Sequence, residues 1–271
     1  MSTKSTSQWH YGSSIVAGTA AAIVTHPIDV VKTRLQSVTW QQQGLRAIVC
    51  TKPFSGLSMG IFSYMPSKAI SLGTFNTIKQ KLAKHDFFIG RPDFLLNVIS
   101  GTFTGSVVAL SMCPLYVLKT HKQLVGKNQK TSLDIAKMLW SETGIKGFYR
   151  GLGVSLFGCS EIVAQLVMYE HFKKSGWVDK VLTSSSVFEN ISKAALVGAG
   201  SKMFSTVIFY PQDVIRTRLR ENSKLSFSQT IKGMYKEKGL VSFYRGLVPQ
   251  LLKSTTSSAI LFGIYDWLIN L

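Results

Sequence analysis

The sequence predicts an all-α membrane protein with six transmembrane helices in three pseudo-threefold repeats. One motif occurs three times at nearly equal intervals, as Pro27–Arg34, Pro114–His121 and Pro211–Arg218. In each copy a proline is followed by an acidic or aromatic residue and then by basic residues or histidine at fixed spacing. Charged residues make up 16% of the chain, against roughly 25% in soluble domains, and hydrophobic residues 45%. Three copies of this sequence repeat account for the whole chain, and a repeated sequence indicates a repeated structural unit.

Each repeat is predicted to contain two transmembrane helices. The first begins with small residues, which let helix backbones approach closely, and runs to the proline motif. The second follows a Gly-Leu step. These steps begin at Gly56, Gly151 and Gly246, and the helices run to about Gln80, Lys173 and Ile269. The repeats are predicted as three domains at residues 8–86, 92–178 and 187–271.

Polar, basic segments connect the two helices of a repeat. Asp134–Trp140 and Ser226–Lys236 are predicted to form short amphipathic surface helices. The chain carries 31 Lys plus Arg against 13 Asp plus Glu, a net charge of +18. Nucleic-acid binding is one interpretation of that charge. The basic residues lie at the ends of apolar segments, however, which favours membrane lipid and a small anionic metabolite as partners over nucleic acid.

The sequence offers no pattern for enzymatic chemistry or metal binding. It lacks a Ser-His-Asp arrangement, a His-x-x-x-His pair and a Gly-rich phosphate loop, and its five histidines are scattered. Cys50, Cys113 and Cys159 have no metal-ligand spacing and are odd in number. We therefore expect neither an enzyme nor a metal site, and no cofactor.

The proline motifs predict a gate. A proline inside a membrane helix removes one backbone hydrogen bond and kinks the helix, so three kinks would bring the following charges together. Asp29 and Asp213 can then pair with Lys119 and Lys32. Such pairs are weak in water and gain strength when water is excluded, as a gate requires.

The triplicated motif, followed by an aromatic-basic-Gly-Leu step, resembles the mitochondrial carrier family over essentially the whole chain. The resemblance implies a six-helix barrel in the mitochondrial inner membrane. It also implies a monomer that moves metabolites, nucleotides or cofactors by alternating access. At Arg150–Gly151 and Arg245–Gly246 it suggests cardiolipin as a bound lipid, whereas Ser55 replaces the basic residue of the first repeat.

The resemblance also implies a gate on each side of the membrane. The matrix gate would comprise Asp29, Lys32, Gln36, Tyr116, Lys119, Gln123, Asp213 and Arg216, with Arg220 in the third glutamine-brace position. The cytoplasmic gate would comprise Lys79, Glu170, Lys173 and Asp266. Tyr116 stands where an acid would pair with Arg216, and Asn76 and Ile269 break the outer pattern. We expect an unequal inner gate and a weak outer one.

Three lysines are predicted near the middle of the membrane, at Lys68, Lys202 and Lys253. A charge there is costly and marks a functional site by default, although each lysine could instead reach a surface or pair with Glu161. Three ammonium groups, one carboxylate and several hydroxyls suit a phosphate-bearing ligand. The predicted substrate-binding residues are Ser63, Ser67, Lys68, Gly158, Cys159, Glu161, Lys202 and Lys253.

Segments Met65–Ile70, Gly158–Glu161 and Tyr210–Glu221 resemble the pyrimidine nucleotide carriers. We therefore expect exchange of pyrimidine nucleotides or deoxynucleotides, with phosphates at the lysines and the base near Gly158 and Cys159. The alternatives are a carrier of FAD, folate, NAD or thiamine pyrophosphate, and a non-transporting or proton-leak protein with the carrier fold.

Overall fold

The computed structural model describes residues 3–41, 43–85, 93–124, 131–175, 187–222 and 225–269. Within these ranges, the side chains of 3–17, 41, 173–174, 187–196, 258–259 and 261–269 are not described. The described residues form helices, turns and bends, with no strand among them.

The helices follow one another in the order that three helical pairs require. They are α1 (Thr3–Gln36), α2 (Val38–Gln41), α3 (Leu45–Cys50), α4 (Leu57–Ala83), α5 (Asp93–Leu124), α6 (Ser132–Thr143), α7 (Ile145–Phe148), α8 (Leu152–Phe157), α9 (Cys159–Lys174), α10 (Val187–Glu221), α11 (Phe227–Lys238) and α12 (Leu247–Ile269). A 3-10 helix, Gly239–Tyr244, lies between α11 and α12.

The motif prolines lie inside the first long helix of each repeat. Pro27 is within α1, Pro114 within α5 and Pro211 within α10, and each helix continues for several residues beyond its proline. The second helix of the second repeat differs from the single helix expected. It is divided into α8 and α9 at Gly158, whose φ of −59° and ψ of −20° stay in the helical region, so the interruption is local.

Two helical stretches among the described residues have the length and apolar composition of a membrane span, Asp93–Leu124 and Ile145–Phe172. The remaining long helices carry more polar residues. Lys202 and the basic end of α10 lower the hydropathy of that helix, and Lys68 that of α4. Both α4, with 27 residues, and α10, with 35, are nevertheless long enough to cross a membrane.

The Gly-Leu steps fix where each second helix begins. Gly56, Gly151 and Gly246 have φ values of 79°, 76° and 85°. Glycine adopts this left-handed conformation at little cost because it has no Cβ. Each glycine immediately precedes the first residue of α4, α8 or α12. The left-handed backbone conformation at each predicted Gly-Leu step therefore favours glycine over other residues.

The chain forms two compact units. The first comprises residues 1–68, 112–150 and 217–271, and the second residues 69–111 and 151–216. In the first unit α1 packs along α12, and its core includes the fully buried Val30, Val117 and Ile135. In the second unit Gly105 faces Cys159 so closely that a Cβ there would lie 2.9 Å from the Cys159 Sγ.

The predicted surface helices are present as α6 and α11, and both begin with a capping box. Asp134 Oδ2 accepts hydrogen bonds from the Thr131 amide at 2.8 Å and from Thr131 Oγ1 at 2.6 Å. In α11, Gln229 Oε1 accepts from the Ser226 amide at 2.8 Å. These bonds satisfy donors that would otherwise lack partners at the helix N-terminus.

The two boxes predict different responses to acid. The Thr131 hydroxyl, and then its amide, lower the pKa of Asp134. Because the folded pKa is lower than the unfolded one, the box stabilises α6 fully above the unfolded pKa and loses its effect as the pH falls through the lowered value. Gln229 does not titrate. Amide hydrogen exchange, corrected for intrinsic rates, should therefore accelerate in the first turn of α6 and not of α11. Equal acceleration in both would contradict this assignment.

Candidate functional site

A cavity of about 170 Å³ lies in the first unit against one face of α1. The lining residues that α1 contributes recur at intervals of three and four positions, so they lie on one face of that helix. The lining residues are Gly18, Ala22, Thr25, His26, Asp29, Leu57, Gly60, Ile61, Tyr64, Lys119, Lys253 and Ser257. They come from α1, α4, α5 and α12 and from the residue range of all three repeats.

The Asp29 carboxylate binds two lysines from different helices. Lys119 Nζ lies 2.7 Å from Oδ2, and Lys253 Nζ lies 2.5 Å from Oδ1. The Asp29 side chain is 12% exposed, and those of Lys119 and Lys253 are 24% and 31% exposed. One carboxylate thus faces two ammonium groups, so this group of three is cationic. The predicted pair of Asp29 with Lys119 is present, whereas its pairing with Lys253 was not predicted.

Gln123 supports this carboxylate. Its Nε2 donates to Asp29 Oδ2 at 3.1 Å, and its Oε1 accepts from Thr33 Oγ1 at 2.9 Å. The amide therefore connects the aspartate to the next turn of α1. The fixed amide orients one carboxylate oxygen toward Lys119. The role of Gln123 as a glutamine brace stays a prediction.

Tyr116 forms a hydroxyl contact and a cation–π contact at the position where an acidic residue would form an ion pair. Its hydroxyl lies 2.9 Å from Ser67 Oγ, and the Arg220 guanidinium lies 5.9 Å from its ring centroid. A guanidinium over an aromatic face is attracted by the electron-rich ring. Residues from α4, α5 and the end of α10 therefore meet at Tyr116.

Gln36 joins the ends of α1 and α10. Its Oε1 accepts from Thr217 Oγ1 at 2.8 Å, and its backbone oxygen accepts from Arg218 Nε at 2.8 Å. Arg218 also binds Glu237 through two hydrogen bonds of 2.6 and 2.9 Å. The charge of this buried arginine is thus paired, and its guanidinium is held in a fixed orientation.

Within the second unit, Glu161 binds two residues of α10. Its Oε1 lies 2.8 Å from Lys202 Nζ and 3.2 Å from Thr206 Oγ1. This is the alternative pairing considered for a mid-membrane lysine. The Lys202 side chain is nevertheless 39% exposed, so its charge remains accessible. Asp213 forms an ion pair with Arg216 of the same helix. The pairing of Asp213 with Lys32 stays a prediction.

Several predicted substrate-binding residues make local contacts. Ser63 is buried, and its hydroxyl donates to the Met59 oxygen at 2.7 Å. Lys68 Nζ lies 5.6 Å from the Tyr64 ring centroid. The structure brings Ser67 to Tyr116 and Lys253 to Asp29, and so connects predicted binding residues with the predicted matrix gate.

The Gly158–Cys159 region is more closely packed than a ring-binding site would suggest. Cys159 is buried, and its Sγ lies 3.9 Å from Ser106 Oγ. A Cβ at Gly158 would lie 2.9 Å from the backbone oxygen of Ser155. Contact of this region with a base stays a prediction.

The cytoplasmic gate also stays a prediction. Lys173 and Asp266 belong to helices whose side chains lie outside the described residues at these positions. Lys79 and Glu170 are half-buried.

Sequence reasoning missed His26 and Tyr64 as cavity residues. A signal was present: His26 precedes Asp29 by three residues, and Tyr64 precedes Lys68 by four. Residues at this spacing share a helix face. Tyr64 also needs Gly18, because a Cβ at that glycine would overlap its hydroxyl.

The helical pairs, their polar mid-span residues and the cationic cavity define a membrane transport protein. The chain belongs to the mitochondrial carrier family and has its helical carrier fold: residues 4–86, 90–178 and 188–271 each match the family described as "Mitochondrial carrier protein".

Similar proteins align over nearly the full chain. Solute carrier family 25 member 36 of Gallus gallus is 29% identical over 303 residues, covering 94% of each protein. Solute carrier family 25 member 33 of Mus musculus is 30% identical over 300 residues, covering 94% of this chain and 92% of the relative. The mitochondrial pyrimidine nucleotide transporter RIM2 of Saccharomyces cerevisiae is 28% identical over 328 residues, covering 97% and 85%.

Replacing Gly18 with alanine should displace Tyr64 and weaken the cavity wall. The added methyl group overlaps the Tyr64 hydroxyl, which predicts a loss of stability on the order of 1–3 kcal/mol. Gly73→Ala in α4 is the matched control, because no atom lies within 4 Å of the new Cβ. Thermal unfolding of the purified protein should show a lower midpoint for Gly18→Ala alone. An equal midpoint for both variants would contradict the tight approach of Tyr64.

Proposed function

We propose that this protein transports an anionic nucleotide across the mitochondrial inner membrane by alternating-access exchange. Pyrimidine nucleotides and deoxynucleotides are the favoured substrates. The observation that carries the proposal is the binding of Lys119 and Lys253 to one carboxylate in the cavity of the first unit. The similarity to a transporter named for pyrimidine nucleotides supports this choice of substrate.

A phosphate can take the place of one contact to Asp29. Lys253 is 31% exposed, and its ammonium has further donors beyond the one that it gives to Asp29. A phosphate oxygen that bound this ammonium would compete with the carboxylate for the same charge. Because the cavity has low polarity on its Ile61 and Leu57 side, an anion gains more from the lysines there than in water.

Substrate binding would then change the gate. When Lys253 turns from Asp29 to a phosphate, Asp29 keeps its contacts with Lys119 and the Gln123 amide. The cluster is weakened in the liganded protein, which lowers the barrier to opening on the matrix side. A ligand shifts such an equilibrium only by its differential affinity for the two states, and shared use of Lys253 provides that difference.

Other parts of the substrate have candidate partners. Tyr64 presents an aromatic ring in the same cavity, and Ser257 a hydroxyl. In the second unit, Lys202 and Glu161 form a polar pair that could contact a ligand or carry a proton. We propose Ser63, Ser67, Lys68, Gly158 and Cys159 as further binding residues on the basis of their positions in the sequence.

We further propose that the protein acts as a monomer without a cofactor, and without chemical conversion of its substrate. Cardiolipin is proposed at the second and third Gly-Leu steps. The left-handed Gly151 and Gly246 there follow Arg150 and Arg245, so a cationic side chain stands next to a helix N-terminus. Amides at such an N-terminus favour phosphate.

A ligand panel tests the substrate class. The purified protein should unfold at a higher temperature with UTP, CTP or their deoxy analogues, because a ligand that binds the folded state stabilises it. A shift with only FAD, folate, NAD or thiamine pyrophosphate would transfer the assignment to that ligand. No shift with any of them, in protein that unfolds cooperatively, would favour a non-transporting or proton-leak protein.

Lys253→Gln should remove the nucleotide-dependent shift and reduce uptake by about ten-fold or more, because a hydrogen bond to a charged group is lost. Lys137→Gln on the surface helix α6 removes the same charge from an exposed position and should leave both unchanged. A retained shift in Lys253→Gln would exclude that lysine from the site.

The unequal matrix gate predicts some uniport besides exchange. Tyr116 supplies a hydroxyl contact where an acid would supply an ion pair, so the barrier to opening without substrate should be low. Uptake of labelled nucleotide into liposomes with no internal substrate measures this directly. Strict dependence on internal substrate would show that the remaining contacts are sufficient to hold the gate.

A further inference from the structure

The last residue of α10, Glu221, binds the segment that follows α1. Its Oε1 accepts from Ser37 Oγ at 2.5 Å, from Thr39 Oγ1 at 2.6 Å and from the Thr39 amide at 3.0 Å. Its Oε2 accepts from the Val38 amide at 2.9 Å. One carboxylate therefore takes four hydrogen bonds from three consecutive residues of another repeat.

These contacts satisfy groups that would otherwise lack partners. The amides of Val38 and Thr39 belong to the first turn of α2, where no intrahelical acceptor exists. A carboxylate is a favourable acceptor there because hydrogen bonds to an ionised group are stronger than neutral ones. Glu221 therefore holds the start of α2 against the end of α10.

The Glu221 contacts are separate from the Asp29 cluster. Ser37 follows Asp29 by about two helical turns along the chain. Between them, Gln36 binds Thr217 and Arg218. The first and third repeats are thus connected in three places: at Asp29 and Lys253, at Gln36, and at Glu221. The Glu221 contacts lie farthest along the chain from Asp29.

The surroundings of Glu221 allow these contacts to break and reform. A cavity of about 330 Å³ lies beside it, lined also by Arg218, Asn222, Gln229 and Glu237. Val38 and Thr39 are exposed. Separation would therefore expose the carboxylate to water rather than leave a buried, unpaired charge, which is the costly outcome.

We propose that Glu221, Ser37 and Thr39 form a matrix-side latch that closes the boundary between the first and third repeats outside the matrix gate. The latch rests on the alternating-access function proposed above, since the ends of α1 and α10 must separate when the matrix side opens. It biases the carrier toward the state that is closed on that side. Glu221 acts on transport through this equilibrium and does not contact substrate.

The decisive test measures access to the cavity without any substrate. Ser257→Cys places a thiol in the cavity lining, in a background where the exposed Cys50 is replaced by serine and the buried Cys113 and Cys159 are kept. A membrane-impermeant maleimide is applied to inside-out inner-membrane vesicles and to mitoplasts. Glu221→Gln should raise labelling from the matrix side about five-fold or more, and lower it from the outer side.

Glu142→Gln is the matched control. It removes a carboxylate from an exposed position of the surface helix α6, which belongs to the second repeat. It should leave the ratio of matrix-side to outer-side labelling unchanged. Thr39→Val removes one donor from an exposed residue and should raise matrix-side labelling by a smaller factor, which keeps the test decisive if Glu221→Gln folds poorly.

An unchanged labelling ratio in folded Glu221→Gln and Thr39→Val would overturn the latch. So would an equal change in Glu142→Gln, because the effect would then not be specific to the contacts of Glu221. Lower thermal stability in Glu221→Gln without a change of ratio would reduce the contact to a helix cap. If the unmodified protein did not transport nucleotides, the proposed substrate would be rejected. The labelling ratio would still decide for or against the latch.

Discussion

The structure of the first unit depends on one carboxylate that serves two lysines. Asp29 stands on α1 and binds Lys119 of α5 and Lys253 of α12, so a side chain from each repeat meets at one point. Removing a charge from such a group leaves the others partly buried and unpaired, which costs more than the pair itself contributes. With two ammonium groups and one carboxylate, the group carries one excess positive charge, which a bound anion can neutralise or water can solvate. This charge makes the cavity a favourable place for an anion.

The residue two positions after the motif proline makes different contacts in each of the three repeats. Asp29 uses ion pairs, Tyr116 uses a hydroxyl contact and a cation–π contact, and Asp213 binds Arg216 of its own helix. Water weakens both ion pairs and cation–π contacts, but these contacts differ in strength from one repeat to the next. A carrier whose three repeats make unequal contacts should open one repeat boundary more readily than the others.

Periodic features of the fold could be predicted from the sequence, and pairwise contacts could not. The proline motifs and Gly-Leu steps recur, so they identified the paired helices and the starts at Gly56, Gly151 and Gly246. The pairing of Lys119 with Asp29 followed from the motif. The Lys253 contact did not, because a flexible lysine can reach several acids and only the packing of α12 on α1 selects one. The role of Tyr64 likewise depends on Gly18, a neighbour distant in sequence.

The left-handed glycines have a consequence for how such a protein can diverge. Any other residue at Gly56, Gly151 or Gly246 would strain the backbone where a helix begins. The first repeat has lost the basic residue before its glycine, yet α4 still starts there. Helix initiation is therefore independent of the charges around it. Substrate preference can change through side chains along the helices while the three starting points, and with them the scaffold, remain the same.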